Sequence, residues 1–203
     1  MSRLRCFLPG AASLLTASLL AGIALSQVGG PPGGVAVADE PPGGLKATQP
    51  PLLSPPARTS VTINGQKITI NYSAPSMRKR LIFGGLEPYN KVWRAGANDA
   101  TMLHTTADLE FKGLHVPKGD YSVFVWLDQQ QWQLIINKQK GQWGLEYHQD
   151  RDLGRVPMEM SRPPKPVETF KMTLAKASAT QGQLKLAWEN TVAAVDFEVK
   201  APR

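Results

Sequence analysis

Residues 59–72, TSVTINGQKITINY, alternate apolar and polar side chains on both sides of an Asn-Gly pair. Val61 and Ile63, then Ile68, Ile70 and Tyr72, recur with a period of two, so one face of each run turns to a core and the other to solvent. Asn64-Gly65 supplies the positive φ angles of a tight turn, and the stretch reads as a β-hairpin. The pattern continues down the chain. DLEFKGLHV holds two short runs, and the turn Pro117-Lys118-Gly119-Asp120 leads into a longer one ending at Leu127. Further runs cover 132–137, 155–160 and 168–174. A closing hairpin over 183–188 and 192–199 turns at Glu189-Asn190. Trp126 and Trp188 lie within apolar runs and read as core. The best helix candidate, 174–182, has only a weak helical period. Eight to ten short strands spaced by turns predict an all-β fold over 58–203, a single antiparallel β-sandwich or a flattened barrel.

The chain ahead of this domain has a different character. Arg3 and Arg5 precede an uncharged, Leu- and Ala-rich run from Cys6 to Val28. Small residues at 24–26 and again at 36–38 suit cleavage, and residues 1–26 read as a secretory signal peptide. The competing reading is an uncleaved anchor, because the run is nearly long enough to span a bilayer. Residues 27–57 hold eight prolines and six glycines, with Pro-Pro-Gly-Gly at 31–34 and 41–44. Extended polyproline segments joined by glycine swivels, with little to bury, read as a disordered linker. Export to a periplasmic or extracellular compartment follows. Cys6, the only cysteine, leaves with the signal, so disulfides, thiolate metal sites and cysteine nucleophiles are excluded from the mature chain.

Loss of the two signal arginines takes the net charge from +7 to +5. No Lys/Arg block dominates beyond Met77-Arg78-Lys79-Arg80. An exported basic surface of this kind points to anionic cell-envelope polymers or acidic ligands rather than nucleic acid, or simply to a solvated surface. There is no phosphate-binding glycine loop and no Gly-x-Ser-x-Gly elbow. Glu146, His148, Asp150 and Asp152 stand at i, i+2, i+4 and i+6, which on an extended strand would share one face and could hold zinc, manganese or calcium. An exposed strand edge shows the same pattern. No cofactor is indicated.

Four stretches carry a family resemblance: YSAPSMRKRLIFGGLEPYNKVWRAGANDAT at 72–101, VPKGDYSVFVW at 116–126, LIINKQKGQWG at 134–144 and DLGRV at 152–156. Together they resemble the bacterial DUF2911 domain family. The resemblance implies an exported domain and no particular activity. Its recurrent polar, aromatic and glycine positions fall on Arg80, Trp93, Arg94, Gly96, Asn98, Trp143, Gly144, Asp152 and Arg155, among others, and it implies no metal ligand at His148.

Within KVWRAGANDATML, Trp93 reads as the end of a strand and Gly96 as a tight bend. Arg94 offers a planar fork to a carboxylate, phosphate or sulfate. The sequence supports a non-catalytic binding or envelope-associated domain that recognises an anionic or carbohydrate ligand through Arg80, Trp93, Arg94, Asn98, Trp143, Asp152 and Arg155. An internal network, in which Arg80, Arg94 and Arg155 pair with Asp99 and Asp152 to pin loops, uses the same residues. A hydrolase built on the 146–152 segment and a structural module pairing through exposed strands are the remaining expectations.

Overall fold

The computed structural model describes residues 52–200. The expected signal peptide, 1–26, and most of the expected linker lie outside the described residues. The opening hairpin forms as read: β1 (Pro56–Ile63) pairs antiparallel with β2 (Gln66–Ser73), with Asn64 and Gly65 at φ 51° and 72°. Strand pairing starts at Pro56, two residues before the expected boundary, because Pro56 and Ala57 oppose Ser73 and Tyr72.

Eleven strands follow: β3 (Lys91–Trp93), β4 (Thr101–Thr105), β5 (Leu109–Phe111), β6 (Leu114–Val116), β7 (Gly119–Leu127), β8 (Gln133–Asn137), β9 (Asp152–Pro157), β10 (Glu159–Ser161), β11 (Val167–Lys176), β12 (Gln181–Glu189) and β13 (Thr191–Val199). They form two antiparallel sheets. One has the order β1-β2-β4-β7-β8-β9, with β3 also on β7; the other runs β11-β12-β13-β5-β6, with β10 on β13. The fold is an all-β sandwich, not a closed barrel. The weak helix candidate at 174–182 is instead the end of β11, a turn and the start of β12, whose chains pair from Lys176↔Gly182. The run at 155–160 is two strands, one in each sheet, broken at Met158.

The sheets bury their facing sides together. On β7, Val123, Val125 and Leu127 join the main core, while Phe124 packs outward with Ile135 and Ala100. The centre of the main core is aromatic. Phe83, Trp93, Trp132, Phe170 and Trp188 meet with ring centroids 4.6–6.2 Å apart. Edge-to-face pairs of this kind add about 0.5–1.5 kcal/mol each beyond the area they bury. Trp126, read as core, is half-buried on the outer face of its sheet, where Arg155 lies over its ring at 5.9 Å.

Candidate functional site

Chain alternation places the site. Trp93 ends β3 with its ring in the core, 2% exposed. Its neighbours Val92 and Arg94 turn to the opposite, outer face, where Val92 packs against the Phe124 cluster. Immediately after, the chain bends sharply. Ala95 has φ 49°, Gly96 has φ 157° and Asn98 has φ 61°. A buried alanine in the left-handed region costs about 1–3 kcal/mol and persists only when its surroundings fix it. Here the buried Thr101 hydroxyl donates to the Ala95 carbonyl at 2.8 Å. Gly96 lies so close to β2 that a Cβ would stand 2.9 Å from the Ser73 carbonyl oxygen.

This bend receives a second loop, the segment between β8 and β9. Ala100 N–H donates to Gln142 O at 3.1 Å, and Gly144 N–H donates to Asn98 O at 3.0 Å, around a bridge between Asp99 and Trp143. Ser122 Oγ holds the Gln142 side chain from below at 3.1 Å. Gly144 is the tightest point. A Cβ there would come within 2.4 Å of both Arg94 Cδ and the Asn98 carbonyl oxygen. The loop thereby roofs the outer face of the sheet.

Under that roof lies a cavity of about 310 Å³, lined by Leu86, Glu87, Val92, Trp93, Arg94, Phe124, Gly144, Leu145 and Tyr147. Arg94 is its cation. The guanidinium lies 6.0 Å from the Trp143 ring centroid. Its Nε is buried and donates to nothing. Neither Asp99 nor any other described carboxylate forms an ion pair with it. Glu87 is the cavity's acid. Burial raises its carboxyl pKa above the usual carboxylate value, and the positive charge of Arg94 opposes that rise. The lining includes exposed apolar side chains: Leu86 and Leu145 are 47% and 74% exposed.

The chain matches the family model described as "Protein of unknown function (DUF2911)" over residues 54–197. It belongs to the DUF2911 family. Neither a curated protein nor a solved structure matches it.

The other site candidates of this DUF2911 domain divide into groups. Asp152 and Arg155 build a closed network beside the cavity. Arg155 Nε donates to Asp152 Oδ2 at 3.2 Å, and Arg155 Nη2 donates to the Tyr147 hydroxyl at 2.8 Å. Tyr147 in turn donates to Asp152 Oδ2 at 2.6 Å, and Asn137 Nδ2 donates to Asp152 Oδ1 at 2.9 Å. The network satisfies its own charges and holds Tyr147 at the cavity wall. The Tyr147 phenol is pushed up to about 12, first by burial and then by its bond to Asp152. A phenol whose folded pKa exceeds the unfolded value of about 10 stabilises the fold fully below that value and loses the contribution as pH rises to the folded pKa. Stability is therefore expected to fall between about pH 10 and 12. In Asp152→Asn the late phenolate step, followed by ultraviolet absorbance, should move back toward 10. An unchanged step would contradict the network.

Arg80 stands apart from the cavity. Its Nε and Nη2 donate to the carbonyls of Met77 and Ser76 at 2.9 and 2.8 Å, in a turn bridged to β11 through Ser76 and Thr169. The expected pairing of Arg80 or Arg94 with Asp99 does not form. Asn98 acts through its backbone, and its amide reaches Ser73 Oγ at 3.4 Å. Trp93 touches the cavity but belongs mainly to the core. The acidic segment does not form the extended face assumed for metal binding. Gln149–Arg151 is a turn of 3₁₀-helix, Asp150 pairs with Arg151, and Asp152 is engaged by Asn137, Tyr147 and Arg155. Among the described residues no three His, Cys, Asp or Glu side chains converge as a metal site.

Sequence reading missed Glu87 and Tyr147. Glu87 sits in a turn whose backbone bonds run to Ile82 and Gly84, and only tertiary folding brings it to Arg94. A second cavity of about 440 Å³ contains Glu189. That buried carboxylate already accepts from the Ile82 and Phe83 N–H groups at 3.3 Å each, so it has less need of a ligand.

Proposed function

We propose that this chain is an exported binding domain whose ligand presents an anionic group to Arg94 in the cavity between β3 and the 138–151 loop. The observation that carries the reading is the buried Arg94 Nε without a partner, at a cavity wall, in a domain where the partly buried Arg155 is closed on Asp152. A buried unsatisfied donor costs about 1–3 kcal/mol, and an acceptor supplied by a ligand would recover that cost. The planar fork suits a carboxylate, phosphate or sulfate. Apolar walls with few polar groups are the usual character of small-ligand sites. An anionic sugar, such as a uronic acid of an envelope polymer, fits the same chemistry. The basic net charge, +7 for the whole chain and +5 without the two signal arginines, raises the local concentration of anions.

The test is thermal stabilisation of the full-length protein by acetate, sulfate, glucuronate and neutral glucose. A ligand that binds only the folded state stabilises it by about 2.7 kcal/mol at a hundred times its Kd. At least one anion should stabilise the wild type, glucose should not, and Arg94→Gln should remove the effect. Stabilisation that survives in Arg94→Gln, or none by any anion, would overturn the reading.

A further inference from the structure

Resting on the Arg94 reading, we propose that the ligand is a small zwitterion with an apolar body, its carboxylate held by Arg94 and its ammonium by Glu87, as in an apolar α-amino acid.

Four observations converge on this class. The first is that one cavity contains opposite charges that do not pair with each other. Glu87 feels the field of Arg94 but forms no ion pair with it or with any described residue. The second is that both groups are short of partners. Arg94 Nε is buried without an acceptor, and Glu87 has burial as its chief perturbation, with no hydrogen bond contributing. A partly desolvated carboxylate is stabilised by a cation brought to it. The third is that a singly charged ligand satisfies only one of the two groups. A simple anion would sit near Glu87 as a like charge, and a simple amine would be repelled by Arg94. One short skeleton bearing both charges meets both groups. The fourth is the apolar lining, Leu86, Val92, Phe124 and Leu145, which would take the ligand's body. The volume of about 310 Å³ lies at the small end of ligand sites.

Trp143 and Gly144 explain the shape. The indole beside the guanidinium limits its motion, and the missing Cβ of Gly144 lets the loop close down on Arg94. The opening beside Leu145 leaves room for side chains of different length, so selectivity falls on the charged end.

The experiment titrates the full-length protein calorimetrically with three probes that share one body: L-phenylalanine, 3-phenylpropanoate and 2-phenylethylamine. L-phenylalanine should bind at least about tenfold tighter than either singly charged analogue, equivalent to about 1.4 kcal/mol. Glu87→Gln should erase that advantage while leaving 3-phenylpropanoate no weaker. Arg94→Gln should weaken both acids. Melting curves of the two variants without ligand confirm that they fold. If 3-phenylpropanoate matches L-phenylalanine in the wild type, the zwitterion proposal is overturned and the anion reading survives. If only the amine binds, and Arg94→Gln leaves it unchanged, both fall. If none of the three binds, the proposal is overturned, and the anion reading is decided by the acetate, sulfate and glucuronate arm alone.

Discussion

Replacing Trp93 by alanine is expected to destabilise the domain by about 3–5 kcal/mol, a large part of the 5–15 kcal/mol typical of a domain. The indole is 2% exposed and sits in the middle of the aromatic cluster. It stacks on Trp188 at 5.8 Å and meets Phe170 at 5.0 Å, Phe83 at 5.8 Å and Trp132 at 6.2 Å. Truncation removes the ring's burial and leaves a cavity that rigid neighbours on two sheets cannot collapse to fill. Trp93→Phe is a sharper companion. It keeps one ring in the cluster and deletes an indole N–H that is buried without a partner, so it should lose much less. Urea unfolding midpoints measure both. A loss under about 1 kcal/mol for the alanine variant would show that the cluster is not the centre of the core.

Gly144→Val is expected to destroy the cavity. A Cβ at this position meets the Asn98 carbonyl oxygen and Arg94 Cδ within 2.4 Å. The oxygen is backbone, held in the strained bend, and cannot move aside cheaply. The loop must lift, breaking the Gly144–Asn98 and Ala100–Gln142 hydrogen bonds that close the roof. Overpacking of this kind costs about 1–3 kcal/mol, and Arg94-dependent ligand stabilisation should vanish. The main core lies on the other face of the sheet, so the variant should still fold cooperatively. Normal ligand stabilisation in Gly144→Val would contradict the proposed geometry.

The sandwich was legible because its strands carry period-two patterns and its turns carry Gly, Asn and Pro at the positions that need them. Asn64-Gly65 and the closing hairpin lie where the pattern puts them. β3 was legible only as a strand ending at Trp93, and β4 was not read as a run. β3 has only three residues, too few to show a period, and on β4 the core-facing positions beside Leu103 hold Thr101 and Thr105, both buried, which blurs the alternation. Trp126 was misplaced because it shares β7 with core residues but takes the opposite parity.

The site was legible in part. Arg94, Trp143 and Gly144 come together, and the motif around Trp93 does form a tight bend. Arg80 looked equivalent to Arg94 in the sequence, yet two carbonyls of its own turn occupy its guanidinium. Asp152 stood both in the metal set and in the arginine network, and of the three arginines named there it pairs with Arg155. Glu87 carried no local signal, since its approach to Arg94 depends on a cavity lined from four separate stretches of chain. The His148 pattern misled because alternation has meaning only on a strand, and the chain there turns through 3₁₀-helix.

The central claim is that Arg94 serves a ligand and not the fold. Arg94→Leu keeps the aliphatic contacts with Gly144 and removes the unpartnered guanidinium. Its folding free energy, measured by urea unfolding without ligand, decides the matter together with anion stabilisation of the same variant. The account predicts stability equal to wild type or higher by about 1 kcal/mol, since a buried donor without an acceptor costs stability, with anion stabilisation lost. A loss of about 3 kcal/mol or more, as when a buried charged partner is removed from a closed pair, would contradict it and make Arg94 a structural residue.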